Sequence, residues 1–145
     1  MKFNTDKCHT IRFTLRRNLI DAYYHMGESL LTMVPDYPYL GLSLSSNLSW
    51  QNHINTITAK ANRMLGLVRR NLRGSARKLR EQAYVSLVRP HLEYCSVVWN
   101  PYTKKNISKI ESIQRQAARF VTNNYRRRDS VTAMLRDLQW TSLES

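Results

Sequence analysis

The hydrophobic period of this chain changes once, near residue 49, and that change limits the fold more than any other feature. Before it, apolar residues alternate or come in short runs cut by Gly27, Pro35, Pro38 and Gly41; after it, they recur at three- and four-residue steps. Alternation is the period of a half-buried strand, and the longer step is that of an amphipathic helix. The chain is therefore predicted to be α+β, with short antiparallel strands followed by a mostly helical bundle. The junction reads Tyr39-Leu40-Gly41-Leu42, then Ser45-Ser46-Asn47, then Leu48-Ser49-Trp50-Gln51-Asn52-His53-Ile54. Ser49 is the expected N-cap, its hydroxyl accepting a backbone N–H of the first helical turn. Leu48 is expected to pack back on that turn as a staple, and Trp50 to seat the helix start against the strands.

From Cys8 to Arg16, Ile11, Phe13 and Leu15 alternate with Thr10, Arg12, Thr14 and Arg16, which predicts a strand. Ala22–Met26 and Leu30–Val34 flank Gly27-Glu28 as the arms of a hairpin. Pro35 and Pro38 are expected to limit helix and interrupt pairing before Tyr39. In all, roughly three or four short antiparallel strands are expected.

The first helix is predicted from about Trp50 to about Leu72, with Ile54, Ile57, Ala61, Met64, Val68 and Leu72 on its buried face. Arg63 and Arg70 project away from that face and Lys60 flanks it. Gly74 is the expected left-handed stop, and Ser75 the cap of a second helix that buries Ala76, Leu79, Ala83 and Leu87. Pro90 ends or kinks that helix, or opens a short third one. The third carries Leu92, Tyr94, Cys95, Val98 and Trp99, the most core-like segment. A fourth helix places Ile107, Ile110, Gln114, Ala117 and Val121 on one face, with Glu111, Arg115 and Arg119 beside it, and closes at Asn123-Asn124. Arg126-Arg127-Arg128 falls in a loop and is a weak nuclear address. Ser130 caps a last helix carrying Val131, Met134, Leu135 and Leu138. Thr141 reads as the cap of a helix that the chain stops short of making, which predicts a fragment.

The 145 residues include 23 Lys and Arg against 10 Asp and Glu, a formal net charge of +13. Such an excess implies attraction to a polyanion, nucleic acid or an acidic membrane surface, and a hydrophobic share of 42% excludes a merely disordered basic tail. Most of the positive charge follows residue 49. It is densest at Lys60, Arg63, Arg69, Arg70, Arg73, Arg77, Lys78 and Arg80, and returns at Lys104, Lys105, Lys109, Arg115 and Arg119. Cations at this density neutralise phosphates with little sequence preference, or else form a solvated face that keeps the protein soluble. Tyr84, Tyr94, Tyr102, Trp99 and Phe120 offer rings for base stacking, although core packing is expected for most. Membrane binding ranks lower, because the apolar helix faces are committed to a core and no acylation motif is present.

Cys8 and Cys95 stand far apart outside any C-x-x-C pair, which suits a reducing compartment. No apolar run has signal-peptide or membrane-spanning length, so an intracellular chain, cytoplasmic or nuclear, is expected. The glycines form no phosphate loop. His91 and Cys95 make a lone pair of possible ligands where structural zinc asks for four. No Asp-Asp pair is present to hold divalent metals for nucleotidyl transfer. Neither catalytic nor metal-binding residues are expected, nor a cofactor.

The residues Tyr39-Leu40-Gly41-Leu42, Leu48 to Ile54, Lys60-Ala61-Asn62-Arg63 and Ala83-Tyr84 occur in order. Leu87-Val88-Arg89-Pro90-His91-Leu92-Glu93-Tyr94-Cys95, Val98-Trp99-Asn100-Pro101 and Ile110 to Phe120 follow them. In this order and spacing the chain resembles, over nearly its whole length, the region downstream of the catalytic centre in reverse transcriptases of jockey-like non-LTR retrotransposons. The resemblance implies that residues 1–48 are the last strands of a polymerase palm, 49–125 a thumb-like helical domain and 126–145 the start of a connecting region. It implies a thumb that holds the template–primer duplex by its backbone. Lys60, Arg63, Arg70, Arg89, Arg115 and Arg119 match the family's basic pattern, and Arg73 and Arg77 join them from the dense cation run. Trp50, His53, Pro90, Tyr94 and Trp99 match as packing and positioning residues. The Leu48–Ile54 corner becomes a palm-to-thumb hinge that sets how Lys60, Arg63 and Arg70 meet a duplex.

The departure is the missing Asp-Asp turn, together with the fingers and most of the palm. A chain without them is expected to bind nucleic acid without polymerising; magnesium is expected only in a complete polymerase of the family. The palm and fingers segments would be its partners, and the strand half would expose an unpaired edge where they belong. A stand-alone basic helical module and a decayed reading frame without a selected role remain the alternatives.

Overall fold

The computed structural model describes residues 4–16, 21–126, 128–141 and 143. Its internal contacts divide the chain into Met1–His53 and Ile54–Ser145, a boundary inside the first long helix. The mixed α+β class expected from the change of period is observed: short strands come first and helices follow.

In the first unit, a 3-10 turn at Thr5–Lys7 is capped by Asn4, whose Oδ1 accepts the Asp6 N–H at 3.0 Å. The strands are β1 (His9–Thr10), β2 (His25–Met26), β3 (Ser29–Leu30), β4 (Thr32–Met33), β5 (Asp36–Tyr39) and β6 (Leu42–Ser45). β2–β3 and β5–β6 are antiparallel hairpins, whereas β1 pairs with β4 in parallel, His9 opposite Thr32. The all-antiparallel expectation is corrected at that pair, because the long connection between β1 and β4, occupied by the β2–β3 hairpin, permits a crossover.

The expected strand from Cys8 to Arg16 is shortened to β1. Beyond Thr10 the segment is tied down through Thr14, whose N–H donates to Ser46 O at 3.0 Å, while Phe13 and Leu15 stay exposed. Alternation gives a half-buried strand only where a second layer covers its apolar side; here Ile11 is half-buried, but the cover does not extend to Phe13 and Leu15.

The β2–β3 turn is the one expected: Gly27 has φ +62°, the positive first position of a type II′ hairpin. The β5–β6 turn uses Leu40 at φ +47° and Gly41 at φ +84°, both positive as type I′ requires. That two-residue loop makes Tyr39–Leu42 the hydrogen-bonded closing pair, so Pro38 opposite Ser43 falls at a non-bonded position. Pro38 therefore sits within the ladder without interrupting it, since no N–H is needed there. The same register turns the Ser43 N–H outward, and it donates to His53 Nδ1 at 3.3 Å.

The corner at Ser49 caps as expected, its Oγ accepting the Gln51 N–H at 3.3 Å at the start of α1 (Gln51–Asn71). The staple is absent. Leu48 has left-handed backbone, φ +58°, and is 59% exposed, because its N–H closes a turn onto Ser45 O instead.

The second unit comprises the rest of α1, then α2 (Arg77–Ala83), a π-helical segment Tyr84–Val88, α3 (Pro90–Glu93), α4 (Ser96–Trp99), α5 (Lys104–Thr122) and α6 (Val131–Asp137). α1 buries Ile54, Ile57, Ala61, Leu65 and Val68, with Thr58 satisfying its buried hydroxyl on Ile54 O at 2.6 Å. Met64 and Leu72 of the expected stripe are only half-buried. α1 ends at Asn71 and Gly74 lacks the left-handed backbone expected of it. α2 is entered through Ala76 without a side-chain cap, not through Ser75.

The expected buried face of α2 is rotated. Leu79 and Leu87 are exposed, while Arg80, Tyr84, Val88 and Leu92 are buried. The π turn, in which the Arg89 N–H reaches back to Tyr84 O at 3.0 Å, carries this rotated face onward into α3. A wider turn keeps residues four apart in line, and Pro90, which has no N–H to give, takes the first position of α3. The segment expected to be most core-like is divided: Leu92 and Trp99 are buried, but Tyr94, Cys95 and Val98 are exposed across a corner where Cys95 has φ +54°.

α5 follows its expectation, burying Ile110, Gln114, Ala117 and Val121 and ending at Asn123 in left-handed conformation, though Ile107 is only half-buried. Ser130 caps α6, accepting the Ala133 N–H at 3.4 Å. α6 buries Met134, Leu138 and Trp140 follow it into the core, and Gln114 Nε2 donates to Thr141 O at 2.8 Å. Among the described residues no helix is long and apolar enough to cross a membrane.

Candidate nucleic-acid interface

The inward residues of α1 leave Arg63, Leu67 and Arg70 on the opposite side of the helix, with Lys60 at its flank three residues before Arg63. Lys60, Arg63 and Arg70 are exposed and make no ion pair among the described residues. With Met64, Leu67 and His91 they line a cleft of about 420 Å³. Arg70 also belongs to an adjoining cleft of about 630 Å³, lined by Gly66, Arg69, Arg73, Phe120, Asn123 and Tyr125. Neither lining contains a carboxylate, so the positive potential of both clefts is unopposed at close range.

The other sequence-predicted cations are not gathered there. Arg77 pairs with Asp137 at 2.5 Å, Arg89 with Glu93 at 2.6 Å and Arg115 with Glu111 at 2.9 Å. Such pairs on a solvated surface contribute little stability, but they divert part of each cation's field from a phosphate. Arg119 is half-buried, its Nη1 donating to Arg126 O at 3.0 Å. Lys109 Nζ bonds Asn55 Oδ1 at 2.5 Å, and Arg80 leaves the surface altogether, 8% exposed, with Nη1 on Phe120 O at 2.9 Å. Of the loop arginines, Arg126 and Arg128 are exposed, and Arg127 lies outside the described residues.

The expected positioning residues behave differently from one another. His53 is buried and tied to Ser43; Trp50, half-buried, meets it edge-on with ring centroids 6.0 Å apart. Trp99 is buried and donates through Nε1 to Tyr94 O at 2.7 Å, which fixes the α3–α4 corner. Tyr94 is exposed. Of the rings offered for stacking, Tyr84, Trp99 and Phe120 are buried, while Tyr94 and Tyr102 face solvent. Among the described residues, no group of His, Cys, Asp or Glu side chains converges as a metal site would.

Sequence reasoning missed Tyr125 and the part of His91 in the first cleft. Tyr125 was discoverable as an aromatic residue between a helix stop, Asn123-Asn124, and an arginine run. His91 joins only because Pro90 opens α3. Comparisons of the chain with protein-family models, curated proteins and solved structures find no match.

Proposed function

We propose that this chain is the palm end and thumb of a reverse transcriptase of the jockey-like non-LTR class, a part that holds the backbone of an RNA/DNA template–primer duplex without catalytic residues of its own. In this reading residues 1–48 close the palm, 49–125 form the thumb and 126–145 begin the connecting region. Magnesium belongs to the complete polymerase, and the palm and fingers segments are the partners. The observation that carries the proposal is the stripe Lys60, Arg63 and Arg70, exposed and unopposed on α1, at positions that match the family's basic pattern. Further support comes from the first unit, where Phe13, Leu15, Tyr23, Tyr24 and Leu30 are exposed as surface awaiting cover. Free thiols at Cys8 and Cys95 fit the cytoplasm or nucleus.

Titration of the full chain against a B-form DNA duplex at several salt concentrations tests the reading. Affinity is expected to fall steeply with salt. Arg63→Ala with Arg70→Ala is expected to lessen the slope of log affinity against log salt by about 1.8, at roughly 0.9 per phosphate contact. An unchanged slope removes both residues from the interface. The same preparation is expected to give no primer extension; extension abolished by a chelator would refute the non-catalytic assignment. A stand-alone basic module is the second reading, favoured by the core that the second unit carries within itself. A palm and endonuclease encoded immediately upstream would decide for the first.

A further inference from the structure

The larger cleft differs in kind from the cationic stripe beside it. Its volume, about 630 Å³, lies in the range of small-ligand sites. Arg69, Arg70 and Arg73 supply guanidinium groups, Gly66 leaves bare backbone between them, and Tyr125 adds an aromatic wall. Tyr125 is 52% exposed, and the Arg69 guanidinium lies over its ring, 5.7 Å from the centroid. That contact holds the ring beside α1, while about half of the residue stays open to solvent at the cleft wall. An aromatic face beside unpaired cations suits a ligand that joins a π system to a phosphate, and a polycarboxylate would make no use of the ring. Arg70 lines both clefts, so the two share a cation at which a phosphate of either could sit.

We infer that this cleft receives an unpaired nucleotide at the end of a duplex, its base stacked on Tyr125 opposite Arg69 and its phosphates on Arg70 and Arg73. The inference rests on the polyanion-binding reading above and adds recognition of a single-strand/duplex junction.

The test measures affinity of the full chain for one DNA duplex in blunt form, with a short DNA or RNA overhang, and with an abasic overhang of equal charge. The base-bearing overhang in at least one arm is expected to bind roughly 5- to 150-fold tighter than the abasic one, the range for stacking one base on an aromatic side chain. Tyr125→Ala is expected to abolish that ratio and Tyr125→Phe to keep it. Equal binding of abasic and base-bearing overhangs would overturn the inference, as would a ratio that survives Tyr125→Ala. If the alanine variant does not fold, the abasic comparison in the unaltered chain decides. A blunt duplex that fails to bind while the overhang binds base-dependently would sink the duplex reading and leave this one standing. A blunt duplex that binds while the base adds nothing would do the reverse.

Discussion

Tyr84 is fully buried and stacks on Trp140 with ring centroids 4.4 Å apart, yet its hydroxyl has no hydrogen-bond partner among the described residues. A buried hydroxyl left unpaired costs stability, so Tyr84→Phe is expected to be neutral or to stabilise by up to about 1 kcal/mol at neutral pH. Burial pushes the Tyr84 phenol well above its ordinary 10.0; Arg89 pulls it down more weakly, and Glu93 adds to the rise. The folded chain thus keeps a proton that the unfolded chain releases. The stability this contributes is complete below pH 10.0 and is lost progressively as pH rises above it. Denaturant unfolding from about pH 9 to about pH 11 should show the unaltered chain losing stability more steeply than Tyr84→Phe, by at most about 1.4 kcal/mol per pH unit. Parallel losses in the two proteins would place the alkaline sensitivity elsewhere.

Among the elements, α2 and α5 are joined by Arg80. Its guanidinium reaches the Phe120 carbonyl in the last turn of α5 and lies 5.7 Å from the Phe120 ring centroid. The last carbonyls of a helix carry partial negative charge, and Phe120 O, which also accepts the Asn123 N–H at 3.2 Å, is among them, so a cation there is stabilised even when desolvated. Arg80→Ala is expected to destabilise the chain by about 2 kcal/mol and leave the salt slope of duplex binding unaltered. Arg63→Ala on the exposed stripe should shift stability by less than about 0.5 kcal/mol. A lowered slope with Arg80→Ala would put it back on the surface. In the sequence Arg80 is indistinguishable from its neighbours Arg77 and Lys78, because composition records charge and not which face of α2 packs on α5. The elements that were legible are those whose signals are local: the Ser49 and Ser130 caps, the Gly27 turn, the face of α5 and the Asn123 stop. Those that were not depend on something distant. β1 needed a covering layer to extend, Pro38 needed the register of its partner, and the face of α2 needed its packing against α5. The cationic stripe of α1 follows from the helical period; the second cleft required α5 and its following loop to meet α1, which no local pattern states.

For the whole molecule, what matters is how unevenly apolar burial is distributed. Leu42 is the one buried apolar residue among the described residues of the first unit, whereas the second buries Ile54, Leu65, Trp99, Ile113, Val121 and others. Stability in a small protein comes chiefly from apolar area removed from water, and a unit with so little of it cannot offset its own chain entropy. Residues 49–145 are therefore expected to melt cooperatively by themselves, within a few degrees of the main transition of the full chain. In native-state hydrogen exchange of the full chain, amides of β1 to β6 should exchange through openings of lower free energy than those of α1 and α5. A cooperative transition seen only in the full chain, with uniform protection across both units, would show that the strands are integral to the core. The expected result would make the helical unit the autonomous part, with the strands ordered fully only when something covers Phe13, Leu15, Tyr23 and Leu30.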